Sequence, residues 1–140
     1  MDRCGDGSIL AVFSGTRPDN LGVKDGRFAA CKTTPNCVSS QADPADGEHY
    51  ITPIAYTGTM HELRHAVESM TRATVIREEG NYLYAEYKSA LMGYVDDVEL
   101  LLDEKARLVH VRSASRLGRS DFGVNRKRIE ELRTLVGSRR

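Results

Sequence analysis

The apolar positions of the chain change period twice between residues 59 and 137. In GTMHELRHAVESM, Met60, Leu63, Val67 and Met70 fall on one stripe at helical spacing. Thr59 with Glu62 three residues later is a capping box, so a helix is predicted over about 60–71. The period then drops to two. ATVIREE and YLYAEYK flank Gly80–Asn81, a turn signal, and predict a hairpin of 73–79 with 82–88. GYVDDVELLLDEKARLVHVRS predicts a second hairpin, with strands near 94–102 and 107–114 turning at Asp103 to Lys105. Val98, Leu100 and Leu102 share a face opposite Asp97 and Glu99, which predicts one buried face and one wet face. Leu100→Asp should therefore unfold the domain, and Glu99→Lys should be tolerated. Helical spacing returns at the end, where Ser120 or Asp121 caps a helix carrying Val124, Ile129, Leu132 and Leu135, with Gly137 placed to stop it.

The stretch before this core reads differently. HYITPIAY, 49–56, predicts a first strand, its Pro53 arguing for an edge or a break. Residues 1–48 hold three of the four prolines and all three cysteines with little periodicity of either kind, so they read as irregular structure. The expected organisation is a flexible N-terminus at 1–16 and a single α+β domain at 17–137, with an irregular arm at 17–48 laid over it. The domain is expected to be an antiparallel sheet of about four to five strands with two helices packed on one face.

Composition agrees with one domain. A chain of 140 residues with 40% hydrophobic and 29% charged positions can bury a single core and is neither disordered nor fibrous. The apolar run Ile9 to Phe13 is far short of the roughly 20 residues a membrane helix needs, and it lacks the features of a signal peptide. No membrane span and no export signal are expected in the chain as written. The formal charge of zero hides a bias: from Arg112 onward nine Lys or Arg face three Asp or Glu. Such a bias marks an anion or nucleic-acid surface, or a basic helix matched to an acidic sheet within the molecule.

Several motifs bear on chemistry. HELRH, His61 to His65, matches the zinc-protease pattern in which two histidines one helical turn apart bind the metal and the Glu activates water. On a helical wheel, however, His61 and His65 lie nearly opposite the apolar stripe, and Glu62 already serves the capping box. No metal and no cofactor is expected, and His61 with His65 is kept as an alternative. DFG at Asp121 to Gly123 lacks the other kinase elements, and GRSDFG lacks the Lys-Ser/Thr of a P-loop. Cys31 and Cys37 are too far apart for a C-x-x-C redox site or the usual zinc knuckle. A disulfide staple is the preferred reading, ahead of buried free thiols and of metal; Cys4 is the odd one out.

RPDNLGV, CKTTPNCVSSQA and RSASRLGRSDFGVNRKRIEELR, in that order across about residues 17 to 136, resemble the signature blocks of the domain-of-unknown-function 1499 family. The resemblance implies a small protein of the bacterial envelope, on its periplasmic side, with relatives in plastids. It implies an oxidising home for Cys31 and Cys37. No activity, cofactor or catalytic residue comes with it.

The block from Arg112 to Arg128 remains. Val109 and Val111 share a face of the last strand that Ser113 and Ser115 continue, so an apolar face turns polar at its end, as at a cavity mouth. Arg116 follows, and the free N–H groups of Phe122, Gly123 and Val124 open a helix carrying Arg126 and Arg128, a natural anion site. Its structural counterpart is a latch in which Asp121 caps the helix and pairs with an Arg. The preferred function is a non-enzymatic binding module for a small anionic or amphipathic ligand. Its candidate residues are Arg112, Ser113, Ser115, Arg116, Phe122, Gly123, Arg126 and Arg128. The alternatives are a metal-dependent hydrolase through His61 and His65, and an interaction surface on the basic C-terminal helix. Nucleic acid is disfavoured because Phe122 is the one aromatic group there.

Overall fold

The computed structural model describes residues 14–90 and 93–137, so most of the expected flexible N-terminus, including Cys4, lies outside the described residues. The strands are β1 Cys37–Ser39, β2 Ile54–Ala55, β3 Ala73–Glu79, β4 Tyr82–Lys88, β5 Val95–Asp103 and β6 Leu108–Ser115; the helices are α1 Met60–Glu68 and α2 Val124–Gly137. Together they form an α+β fold with one antiparallel sheet in the order β1-β6-β5-β4-β3. Short β2 shares the outer edge of β6 with β1, pairing at Leu108 and Val109 while β1 pairs at Arg112 to Ala114.

Period-two patterning sets the register. Leu83 faces Leu100 and Ala85 faces Val98 across β4 and β5, and Leu100 faces Val111 across β5 and β6. These residues meet Leu63, Ala66 and Val67 of α1 and Ile129, Leu132 and Val136 of α2 in one buried cluster. The capping box of α1 is formed: Thr59 Oγ1 accepts from the Glu62 N–H at 3.1 Å, and Glu62 Oε1 accepts from the Thr59 N–H at 3.0 Å. The helix is one turn shorter than the spacing predicts. Ser69 Oγ donates to Ala66 O at 2.6 Å, and Arg72 at φ +57° turns the chain out of helical conformation into β3.

Three expectations need correction. The expected strand at 49–56 contracts to Ile54–Ala55, because Pro53 has no N–H to give and the chain before it bonds Ser39 instead, through Ser39 N–H to His49 O and Ile51 N–H to Ser39 O. The arm is not wholly irregular, since β1 lies within it. The largest change is that the second face of the sheet is not wet. Leu21, Val23 and Phe28 of the arm pack on Tyr82, Tyr84 and Leu101. Asp97 and Glu99, expected outside, are 1% and 0% exposed. Both faces are covered, one by helices and the other by the arm. Cys31 and Cys37 form the disulfide, S–S 2.07 Å, closing the loop of the arm that leads into β1; the staple is the reading that holds.

Candidate functional site

The polar face of the sheet carries charges that two-residue alternation makes neighbours. Glu99 is opposite Tyr84 on one side and Arg112 on the other, and Glu86 is opposite Asp97. Arg116, just past β6, donates from Nε to Asp97 Oδ2 at 3.0 Å and from Nη2 to Asp97 Oδ1 at 2.9 Å and Glu86 Oε2 at 2.6 Å. Arg17 of the arm donates to the same Glu86 oxygen at 2.6 Å. The Tyr84 hydroxyl lies 2.5 Å from Asp97 Oδ1 and 2.8 Å from Glu86 Oε2; having one proton, it donates to one of them at a time. Burial, with Asp97 adding to it, pushes the Tyr84 phenol well up. Burial also works to raise the Glu86 carboxyl, but hydrogen bonds from Arg17 and Tyr84 outweigh it and hold the group low. Two guanidiniums and two carboxylates thus balance under the arm.

Beside this balanced set is a pair that is not satisfied. Glu99 Oε2 accepts from the Tyr82 hydroxyl at 2.5 Å and the Gly22 N–H at 2.7 Å. Glu99 Oε1 sits 3.9 Å from Arg112 Nη1. Glu99 Oε1 and Arg112 Nε are buried without a hydrogen-bond partner among the described residues. Arg112 spends Nη2 on Ala30 O at 3.3 Å. Burial pushes its guanidinium down, with Glu99 and Asp97 acting against that. Arg112 borders a cleft of about 320 Å³ between the arm and the end of β6, lined also by Lys32, Thr34, Asn36, Asp97 and Arg116.

Ser113 and Ser115 lie on the helix side, since successive strand residues point to opposite faces. Ser113 Oγ donates to Asn125 Oδ1 at 2.5 Å. Asn125 Nδ2 shares its two hydrogens among three acceptors, Asp121 Oδ2 at 2.7 Å, Ser115 Oγ at 2.9 Å and Asn36 O at 3.2 Å. The polar end of that face is therefore filled by Asn125, a residue the sequence reading passed over. Its signal was present: Asn125, Ile129, Leu132 and Val136 form the buried stripe of α2, and a polar residue on such a stripe demands partners. Asp121 accepts from the N–H groups of Gly123 at 2.8 Å and Asn125 at 3.1 Å. Burial works to raise its carboxyl, but those hydrogen bonds win and hold it low.

The latch exists with other partners than expected. Asp121 takes Asn125, not an Arg. Arg128 pairs with Asp96 at 2.9 Å and lies 4.7 Å from the centre of the Tyr87 ring. Arg126 donates to the carbonyls of Gly47 and Glu48 at 3.3 and 3.4 Å. Of the eight candidates, only Arg112 and Arg116 share the arm side; Ser113, Ser115 and Arg128 share the helix side, and Phe122 stands in solvent at 96% exposure.

Two constellations with catalytic outlines can be weighed. His61 and His65 are both exposed, and no group of three His, Cys, Asp or Glu side chains among the described residues is arranged to hold a metal. Ser40 Oγ lies 3.0 Å from His110 Nδ1, but that oxygen is buried and accepts the Val111 N–H at 2.9 Å. It continues the sheet edge where β1 stops.

His49 has a structural role. It is 8% exposed, donates from one ring nitrogen to Thr34 O at 2.9 Å, and holds Asp46 at 2.7 Å with the other. The Thr34 carbonyl first, then Asp46, raise the imidazole above its ordinary value. A raised cation contributes stability that is complete below the unfolded value and disappears as pH rises through the folded one. His49→Gln is therefore expected to narrow its stability gap to the wild type as pH rises from about 6 to 8, in urea melts run at each pH. A gap that is constant across that range would show that the imidazole proton plays no part.

Neither a curated protein nor a solved structure matches the chain. A family model described as "Protein of unknown function (DUF1499)" matches residues 27–136. That span runs from the arm, through the disulfide loop and the whole sheet, to the last turn of α2, and the chain belongs to the DUF1499 family.

Proposed function

We propose that the protein is a non-enzymatic binding module whose cleft between arm and sheet takes a small ligand by an anionic end. The observation that carries this reading is Arg112, a buried guanidinium that lines a polar cleft and whose Nε–H has no partner among the described residues. Leaving such a donor buried costs free energy that a purely structural role would avoid. A carboxylate or phosphate suits a guanidinium by charge and by planar geometry. Lys32, Thr34 and Asn36 of the disulfide loop line the same cleft; Thr34 Oγ1 donates to Asn36 Oδ1 and Asn36 Nδ2 to Gly118 O, so the charge added is that of Lys32. The disulfide also supports an oxidising home, such as the periplasmic side of a bacterial envelope that the family resemblance implies. Hydrolysis through His61 and His65 has no comparable support. On α2, Arg126 and Arg133 are spent on backbone carbonyls at Gly47, Glu48, Thr52 and Pro53, which takes two of the helix's four cations away from a partner.

Inorganic phosphate is expected to raise the melting temperature saturably and more than chloride at matched ionic strength, by mass action on the folded state. Arg112→Lys, which keeps the charge opposite Glu99 but loses the fork, should abolish the response. Arg126→Ala, on the helix side, should keep it. A wild-type protein with no saturable response, or an Arg112→Lys protein that responds in full, would end this reading.

A further inference from the structure

The large apolar side chains that are exposed among the described residues are Ile76, Tyr94, Leu117, Phe122 and Val124. All but Ile76 line one mainly apolar trough of about 310 Å³. Phe122 is its outermost point, 96% exposed and held at φ +53°, with Gly123 following at φ +82°. A left-handed phenylalanine is strained unless its surroundings fix it. Here Ser120 Oγ takes the Phe122 N–H at 3.3 Å and Asp121 takes the Gly123 N–H at 2.8 Å, so the turn holds the ring outward.

The ground beside the trough is cationic. A second depression of about 410 Å³ shares Ser89, Asp96 and Val124 with it and is lined by Arg72, Lys88, Lys127 and Arg128 against Asp96 and Glu131. Arg128 already neutralises Asp96 at 2.9 Å. Lys88 and Lys127 form no ion pair among the described residues.

We propose that the Phe122 turn and the trough beside it dock onto an anionic lipid surface, with Phe122 entering the interface and Lys88 and Lys127 meeting the headgroups. The trough itself carries Asp96 and Asp121, and four cations line the depression next to it. A protruding ring with cations on its flank suits a negatively charged interface, which offers apolar depth and counter-charge together. A second copy of the chain would bring the same cations against them and be repelled. The trough and the arm-side cleft share Ser115 and Gly118, so docking would bring the cleft close to the lipid surface, although neither proposal depends on the other.

The test is co-sedimentation of the full chain with phosphatidylcholine vesicles, with and without phosphatidylglycerol. The wild type should bind the phosphatidylglycerol vesicles and leave the neutral ones. Phe122→Asp should weaken binding on the order of 10-fold, and Lys88→Glu combined with Lys127→Glu by a similar factor. Lys105→Glu, at the β5–β6 turn, should bind like the wild type. The chain contains no tryptophan, so Phe122→Trp reports directly: its emission should shift to the blue with phosphatidylglycerol vesicles alone. Equal binding of both vesicle types, full binding by Phe122→Asp, or an unshifted Trp emission would overturn the proposal. A lipid-free dimer abolished by Phe122→Asp would overturn it too, and give the patch to a second copy of the chain.

Discussion

Changing Glu99 to lysine will unfold the domain or bring it to the edge of unfolding. Strand alternation alone forecasts a harmless exchange on a wet face, but the carboxylate is fully buried. It accepts from the Tyr82 hydroxyl and the Gly22 N–H, and it is the closest counter-charge to Arg112. Lysine would strip both donors of their acceptor and set a second cation beside the first. Breaking a buried charge pair from one side costs about 3–5 kcal/mol, most of what a domain with a margin of about 5–15 kcal/mol can lose. Glu99→Gln keeps an acceptor oxygen and should lose less, about 1–3 kcal/mol. Urea denaturation of the three proteins checks the order. A Glu99→Lys midpoint equal to that of the wild type would mean that the arm does not cover this face in solution.

Arg116→Met is expected to have an effect of the same size, from the opposite charge. Burial works against this guanidinium, yet Asp97 above all, with Tyr84 and Glu86, holds its charge more firmly than in water. Its removal leaves Asp97, 1% exposed, without its hydrogen-bonded cation, a loss of about 3–5 kcal/mol. The double variant Arg116→Met with Asp97→Leu should recover most of it, since Arg17 remains for Glu86 at 2.6 Å and Tyr84 keeps Glu86 at 2.8 Å. Acid provides a second readout. A carboxyl held low contributes stability that is present above its unfolded value and lost as pH falls through the folded one. Glu86 is such a group, held low partly by Arg116, so the single variant should show a shallower acid-side loss than the wild type. Additive losses in the double variant would show that the two side chains act independently.

Much of the fold follows from local pattern. The hairpin of Ala73–Glu79 with Tyr82–Lys88 lies where alternation and Gly80–Asn81 put it, and β5 and β6 are within one residue of the expected spans. The capping box of α1 was readable because all its parts lie within four residues. The short β1 was not readable: three residues within a stretch dense in proline and cysteine have no period to show, and Cys37–Ser39 is a strand only because β6 offers an open edge. Asn125 was readable as a polar residue on the buried stripe of α2, but its partners Asn36 and Ser115 belong to other segments and leave no mark on the helical period.

Each segment's own conformation, and which residues alternate to which side, follow from the chain locally, for these depend on turn chemistry, capping and spacing over a few residues. What covers each side depends on contacts between distant segments. The arm from Arg17 to Phe28 reaches charges some 70 residues away, as Arg17 does Glu86 and Gly22 does Glu99, and no local period records such a contact. A row of alternating Asp and Glu reads the same whether water or a buried arginine answers it. The difference lies in desolvation, which depends on the arm, and the arm turned an expected outer surface into a second interior, with the Arg112 Nε–H unsatisfied among the described residues.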